Sequence, residues 1–146
     1  MFQNARDVAE ASLQLVEMAR VASQYGDLPR VSALEIAAAV LAVHVSDWHV
    51  SEHGHANLRI EMFRAFSQEW EALRLLSKGL KHAKPNVEQP TQRNTDWEDV
   101  DGWELGFASG TLFVPVDGKD RSVRIMTEHF CEEYLARGST IAPPTP

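Results

Sequence analysis

The chain contains a single cysteine, Cys131, in 146 residues, so no intramolecular disulfide can form. One lone thiol fits a reducing compartment. No staple is required either, because a chain of about 150 residues buries roughly 68–70% of its unfolded surface. Glycine-rich phosphate loops are missing: neither G-x-x-x-x-G-K-[ST] nor G-x-G-x-x-G occurs. Nucleotide binding through those loops is therefore not indicated. G-x-S-x-G is also absent, which removes the nucleophile elbow. No eighteen apolar residues follow one another. The longest candidate stretch, 36–45, runs straight into Asp47 and the histidines, and no membrane span is expected. The opening MFQNARDVAEASLQL lacks a basic region leading into an apolar run, so no leader is expected. Positive charge is short as well, with a net charge of −7. That weighs against broad nucleic-acid binding while leaving room for a small basic patch. The expectation is one cytoplasmic domain over residues 1–138 and a disordered tail over 139–146.

What is present is mostly helix. Asn4 is placed to cap a helix over Ala5–Gln24, with Gly26 as its stop and Pro29 in the following loop. Ser32 and Glu35 form an S-x-x-E capping box before IAAAVLAVHV, which predicts a second helix over Ala33–His53 ended by Gly54. It is small and apolar on most sides, as a central helix should be. A third helix is expected over Phe63–His82, after a short turn around Leu58, with Phe63, Phe66, Trp70, Leu73 and Leu80 as its packing stripe and Pro85 beyond it. Residues 85–110 are polar and acidic with no helical period, and read as a long connection. Residues 111–126 read as a β-hairpin with strands Thr111–Val116 and Ser122–Met126 around Asp117-Gly118. A last helix is expected from Thr127, its cap, to Arg137, with Gly138 closing it. The fold class is mainly α: a four-helix bundle with a β-hairpin inserted before the last helix.

The chemistry is concentrated in HVSDWHVSEHGH, residues 44–55, which holds four of the six histidines. Helix residues turn by about 100° each. On that wheel His44 and Asp47 continue the Leu41 and Ala37 side and are expected to face the bundle. His49 and His53 point the other way with Ser46 and Glu35, toward solvent or a second subunit. The i, i+4 spacing of His49 and His53 suits zinc or nickel, with Glu52 or His55 as a third ligand. The alternative is two solvated histidines at a helix end. A buried Asp47 needs a partner, and His44, Arg74, Lys78 and Lys81 are the candidates. Such a group is either an ion pair that fixes helix packing or a pocket holding an acid, a base and a cation.

Two other patterns carry less. DWEDVDGWE resembles a calcium loop, but Trp97 and Ala108 stand where carboxylates are needed. Trp97 and Trp103 are expected to tack the long connection onto the bundle. Cys131, among apolar residues, is expected to pack and not to react.

Taken together, HVSDW, the segment RLLSKGLKH and a late hairpin with V-D-G before a terminal helix resemble small bacterial proteins similar to the HEPN superfamily of four-helix domains. The resemblance spans about residues 36–135 and is carried by a handful of positions. It implies a homodimer. It also implies one of two activities: a non-catalytic binding or structural module, or a metal-independent ribonuclease. In the second case Arg74 would stabilise phosphate charge and His82 would move a proton, supported by His44 and Asp47. Lys78 and Lys81, with Lys84, would contact the substrate. Seven residues separate Arg74 from His82, where the catalytic relatives have four to six. No cofactor is expected, and the partner expected besides a second copy is RNA or protein. A metal-binding protein using His49, His53 and His55 is the remaining alternative.

Overall fold

The first helix begins as its sequence predicts. In the computed structural model, which describes residues 1–82, 90–93 and 111–143, Asn4 Oδ1 accepts from the Asp7 N–H at 2.9 Å. Helix α1 then runs Ala5–Gln24. The chain turns through Tyr25 and Gly26, the latter at φ +69°, where a side chain would be strained.

Helix α2 spans Leu28–His53, five residues longer at its start than the Ser32–Glu35 box predicts. Asp27 is its cap, accepting from the Arg30 N–H at 3.3 Å. Pro29 lies in the first turn, where its missing N–H has no partner to lose, and not in a loop. The box is not the start because Glu35 has another role: its Oε1 accepts from the Leu112 N–H at 3.0 Å. Gly54 ends α2 in the left-handed conformation, as expected.

A 3-10 turn over Ala56–Leu58 leads into α3, Arg59–Phe66. The single helix expected over Phe63–His82 is two helices. Ser67 is extended, and its Oγ accepts from the Trp70 N–H at 3.1 Å, starting α4 over Gln68–His82. A side chain that offers the backbone an alternative bond competes with helix continuation.

Three strands form one antiparallel sheet in the order β1-β2-β3. Strand β1, Thr91–Arg93, lies within the span read as an irregular connection and pairs Thr91 with Phe113. Strand β2 covers Thr111–Val116 and β3 covers Lys119–Ser122. Asp117 and Gly118 both have positive φ, 51° and 79°, which is the twist a two-residue hairpin turn requires. The second hairpin strand does not reach Met126. Ser122 Oγ accepts from the Ile125 N–H at 3.2 Å and starts α5, Val123–Arg137. Thr127, expected to cap this helix, is inside it, its hydroxyl donating to the Val123 carbonyl at 2.8 Å. A 3-10 turn over Gly138–Thr140 follows, and Ile141 packs on the core. The role expected of Trp97 and Trp103 lies outside the described residues.

Helix α1 packs along α2, and α2, α4 and α5 pack on one another. The α1–α2 seam is made of small residues, with Ala5, Val8, Ala9 and Ala19 on one side and Ala38, Ala39 and Ala42 on the other, all buried. Phe63 is fully buried at the centre, its ring 5.4 Å from Trp70 and 6.3 Å from Phe130 and from Tyr134. Truncating such a ring to Ala costs about 3–5 kcal/mol. Leu112 and Val114 of β2 close the core from the sheet side. By length and composition alone α2 is apolar enough to cross a membrane, with a mean hydropathy of 1.6 over an 18-residue window.

Candidate functional site

His53 is exposed, as the helical wheel predicts, but other polar residues of α2 occupy the opposite faces. Glu35, Ser46 and His49, expected outside, are buried. His44 and Asp47, expected inside, keep 56% and 48% of their side-chain surface exposed. The reason is the small-residue seam: Ala38, Ala39, Ala42 and Val45 lie on the side that lets α1 approach closely, and Glu35, Ser46 and His49 share that side. In a segment as uniformly apolar as IAAAVLAV, periodicity alone does not choose the face.

Each inward polar residue has one bonded atom. His49 Nδ1 is 2.9 Å from the Tyr134 hydroxyl, while its Nε2 is buried with no hydrogen-bond partner among the described residues. Burial, followed by the neighbouring His53, lowers the His49 pKa, and burial pushes the Tyr134 hydroxyl up to about 12. Tyr134 is held in turn by Gly138, whose place leaves room for its ring and no more: an added Cβ would lie 2.7 Å from Tyr134 Cε2. Burial pushes the Glu35 carboxyl up to about 7, against the opposing pull of the Leu112 N–H and the Arg124 charge.

This arrangement does not favour the metal reading of His49, His53 and His55. The His49 and His53 rings stack at 4.3 Å, and His53 Nδ1 donates to the His49 carbonyl at 2.8 Å. Among the described residues no group of three or more His, Cys, Asp or Glu side chains could hold a metal ion. Burial raises the Cys131 thiol to about 12, which fits a packing role.

The outward residues converge. A cleft of about 610 Å³ lies between α2 and α4, with α3 at one end. His44, Asp47, Arg59, Arg74, Ser77 and Lys78 line it, over an apolar floor of Val40, Val43 and Leu80. Thus His44, Asp47, Arg74 and Lys78, singled out from the sequence, share one cleft. The side chains of Lys81 and His82 lie outside the described residues.

The pairings within the cleft are specific. Asp47 Oδ2 is 2.8 Å from His44 Nδ1, one of the partners expected for it. Its other oxygen, Oδ1, is 3.3 Å from Arg59 Nε. Arg59 was not legible as a site residue, because its role depends on the α3 turn bringing it back to α2. Its Nη1 donates to Ser46 Oγ at 2.9 Å, and its guanidinium lies 5.8 Å from the centre of the Trp70 ring. Arg74 does not pair with Asp47. Glu71, one turn earlier on α4, accepts from its Nε at 2.8 Å and its Nη2 at 2.9 Å. The hydrogen bond from Arg74 holds the Glu71 carboxyl below the usual range, with Arg64 adding to it at 3.2 Å. A guanidinium fixed along one edge still presents its remaining N–H groups, the geometry suited to a bound oxyanion.

Charge sets the scale of what this cleft can hold. Arg59 is balanced by Asp47 and Arg74 by Glu71. Lys78 is exposed and has no ion pair among the described residues, so it supplies the surplus positive charge. That suits one or two phosphates rather than a long polyanion. No family model, no curated protein and no solved structure matches this chain.

Proposed function

We propose that the chain is a HEPN-like helical binding module, a homodimer in solution, whose α2–α4 cleft takes the phosphate backbone of RNA. The observation that carries this reading is the meeting of Arg59, Arg74, Lys78 and His44 on one open cleft of an otherwise acidic protein. Arg74 and Lys78 are one helical turn apart on α4 and contact the phosphates. His44 faces them from α2.

Fluorescence anisotropy with a labelled single-stranded RNA tests the reading. With one or two phosphates engaged, log K falls with log salt at a slope of about −0.7 to −1.4. Lys78→Ala and Arg74→Ala should each weaken binding about tenfold, as for one charge-assisted hydrogen bond. RNA affinity unchanged in both variants sinks the reading. Sedimentation equilibrium tests the dimer, and a monomer at every concentration rejects that part.

One further observation favours a catalytic version of the same site. Asp47 engages only Nδ1 of His44 and leaves Nε2 for proton transfer, while Arg74 is placed for developing phosphate charge. Cleavage of RNA without added metal is then expected, and it should be lost in His44→Ala, Arg74→Ala and His82→Ala. Cleavage at the wild-type rate in all three variants excludes it.

A further inference from the structure

The Asp47 carboxylate is clamped on both oxygens although half of its surface is exposed. One clamp is His44 Nδ1 from its own helix. The other is Arg59, anchored on two residues that are themselves fully buried, Ser46 and Trp70. Ser46 Oγ is fixed in turn by donating to the Val43 carbonyl at 2.8 Å. So the carboxylate direction is set by three elements, not by a single mobile surface pair.

We propose that Arg59, acting through Asp47, holds His44 in the form that carries its proton on Nδ1, so that Nε2 offers a lone pair to a hydroxyl beside the phosphate of the bound ester. The inference rests on the reading of the cleft as a phosphate site. An ionised carboxylate only accepts hydrogen bonds, so the proton between His44 and Asp47 sits on Nδ1. A neutral imidazole then has a bare Nε2, its form chosen by the bond at the other nitrogen. Phosphate oxygens also only accept, and a bare Nε2 cannot serve them. Its complement is an O–H. The work is therefore divided: Arg74 and Lys78 take the phosphate, and His44 takes a neighbouring hydroxyl. Ribose in RNA has that hydroxyl and deoxyribose does not. His44 becomes the residue that sets specificity, and Arg59 a positioning residue.

Two measurements test this on the full chain. The first is nitrogen NMR of the His44 ring at a pH where an ordinary imidazole is neutral. Pyrrole-type Nδ1 and pyridine-type Nε2 are expected. Asp47→Asn and Arg59→Gln should shift the ring toward the opposite form, and Arg59→Lys should largely restore the original. A ring in the Nε2–H form in the wild-type protein overturns the proposal.

The second compares the ribodinucleotide adenylyl-adenosine with its deoxyribose counterpart. One added hydrogen bond predicts about fivefold tighter binding of the ribose form. The ratio should fall to about one in Asp47→Asn and Arg59→Gln, while Lys78→Ala weakens both ligands alike and leaves it unchanged. A ratio of one in the wild-type protein, with both ligands still sensitive to Lys78→Ala, overturns the hydroxyl preference and leaves the phosphate site standing. Failure of both dinucleotides to bind overturns the phosphate site and the preference together, and the NMR measurement still decides what Arg59 does to His44.

Discussion

The two polar faces of α2 use similar residues for different ends. On the inward face Glu35 and His49 are buried, and among the described residues each has one bonded atom and one buried atom with no hydrogen-bond partner. Their bonds join α2 to β2 and to α5. On the outward face Asp47 and His44 remain half exposed, and both Asp47 oxygens are paired. A carboxylate whose partners are complete loses little by staying in water. One sealed in the interior with a partner missing carries a desolvation penalty. The inward groups therefore hold elements together, and the outward group is accessible to a ligand.

Acidity should separate the two faces most. The folded pKa of Glu35, about 7, lies above its ordinary value of 4.5. The folded state thus binds the proton more tightly than the unfolded chain. The corresponding stability is fully present below pH 4.5, falls as pH rises, and is gone above about pH 7. The size is about 3 kcal/mol. Urea unfolding from pH 4.5 to 8 should show this decline in the wild-type protein and lack it in Glu35→Gln. Parallel curves for the two proteins would mean that Glu35 is not sealed.

Next in size is Glu35→Ala at pH 5, which leaves the Leu112 N–H without its acceptor and should lower stability by about 2 kcal/mol in a denaturant titration. Tyr134→Phe should lose about 1–2 kcal/mol by removing the hydrogen bond to His49 Nδ1. Because the folded pKa of His49 is lowered, its stability is present above the ordinary imidazole range and lost as pH falls, so melting curves of His49→Phe should be flatter on the acid side. The smallest effects belong to the outward face. Lys78→Ala and His44→Ala should change stability by less than about 0.5 kcal/mol. A loss of 2 kcal/mol in His44→Ala would show that the two faces are alike after all.

Signals held in a few neighbouring residues were readable from the chain. Asn4, Gly54 and the Asp117-Gly118 turn act through bonds and dihedrals within one turn, and they fall where the sequence places them. Features that depend on distant partners misled. Ser32–Glu35 looks like a capping box, yet Glu35 is taken by Leu112 on another element. SVRIM alternates like a strand, but Ser122 caps a helix and Val123, Met126, Thr127 and Phe130 all reach the core. The HVSDW spacing made the His44–Asp47 pair readable. The turn around Leu58 was readable too, but not that Arg59, the third member, would come back from it to Asp47 on α2.

Gly138 turns the last helical turn into a gauge. Its backbone stands where a Cβ would lie 2.8 Å from Tyr134 Cδ2 and 2.7 Å from Cε2, so it sets how far the phenol ring leans and how far its hydroxyl reaches. Any side chain there would move the far end of that lever, which is the partner of His49. A substitution near the end of the chain would thus be read as a change in the acidity of a buried imidazole on another helix.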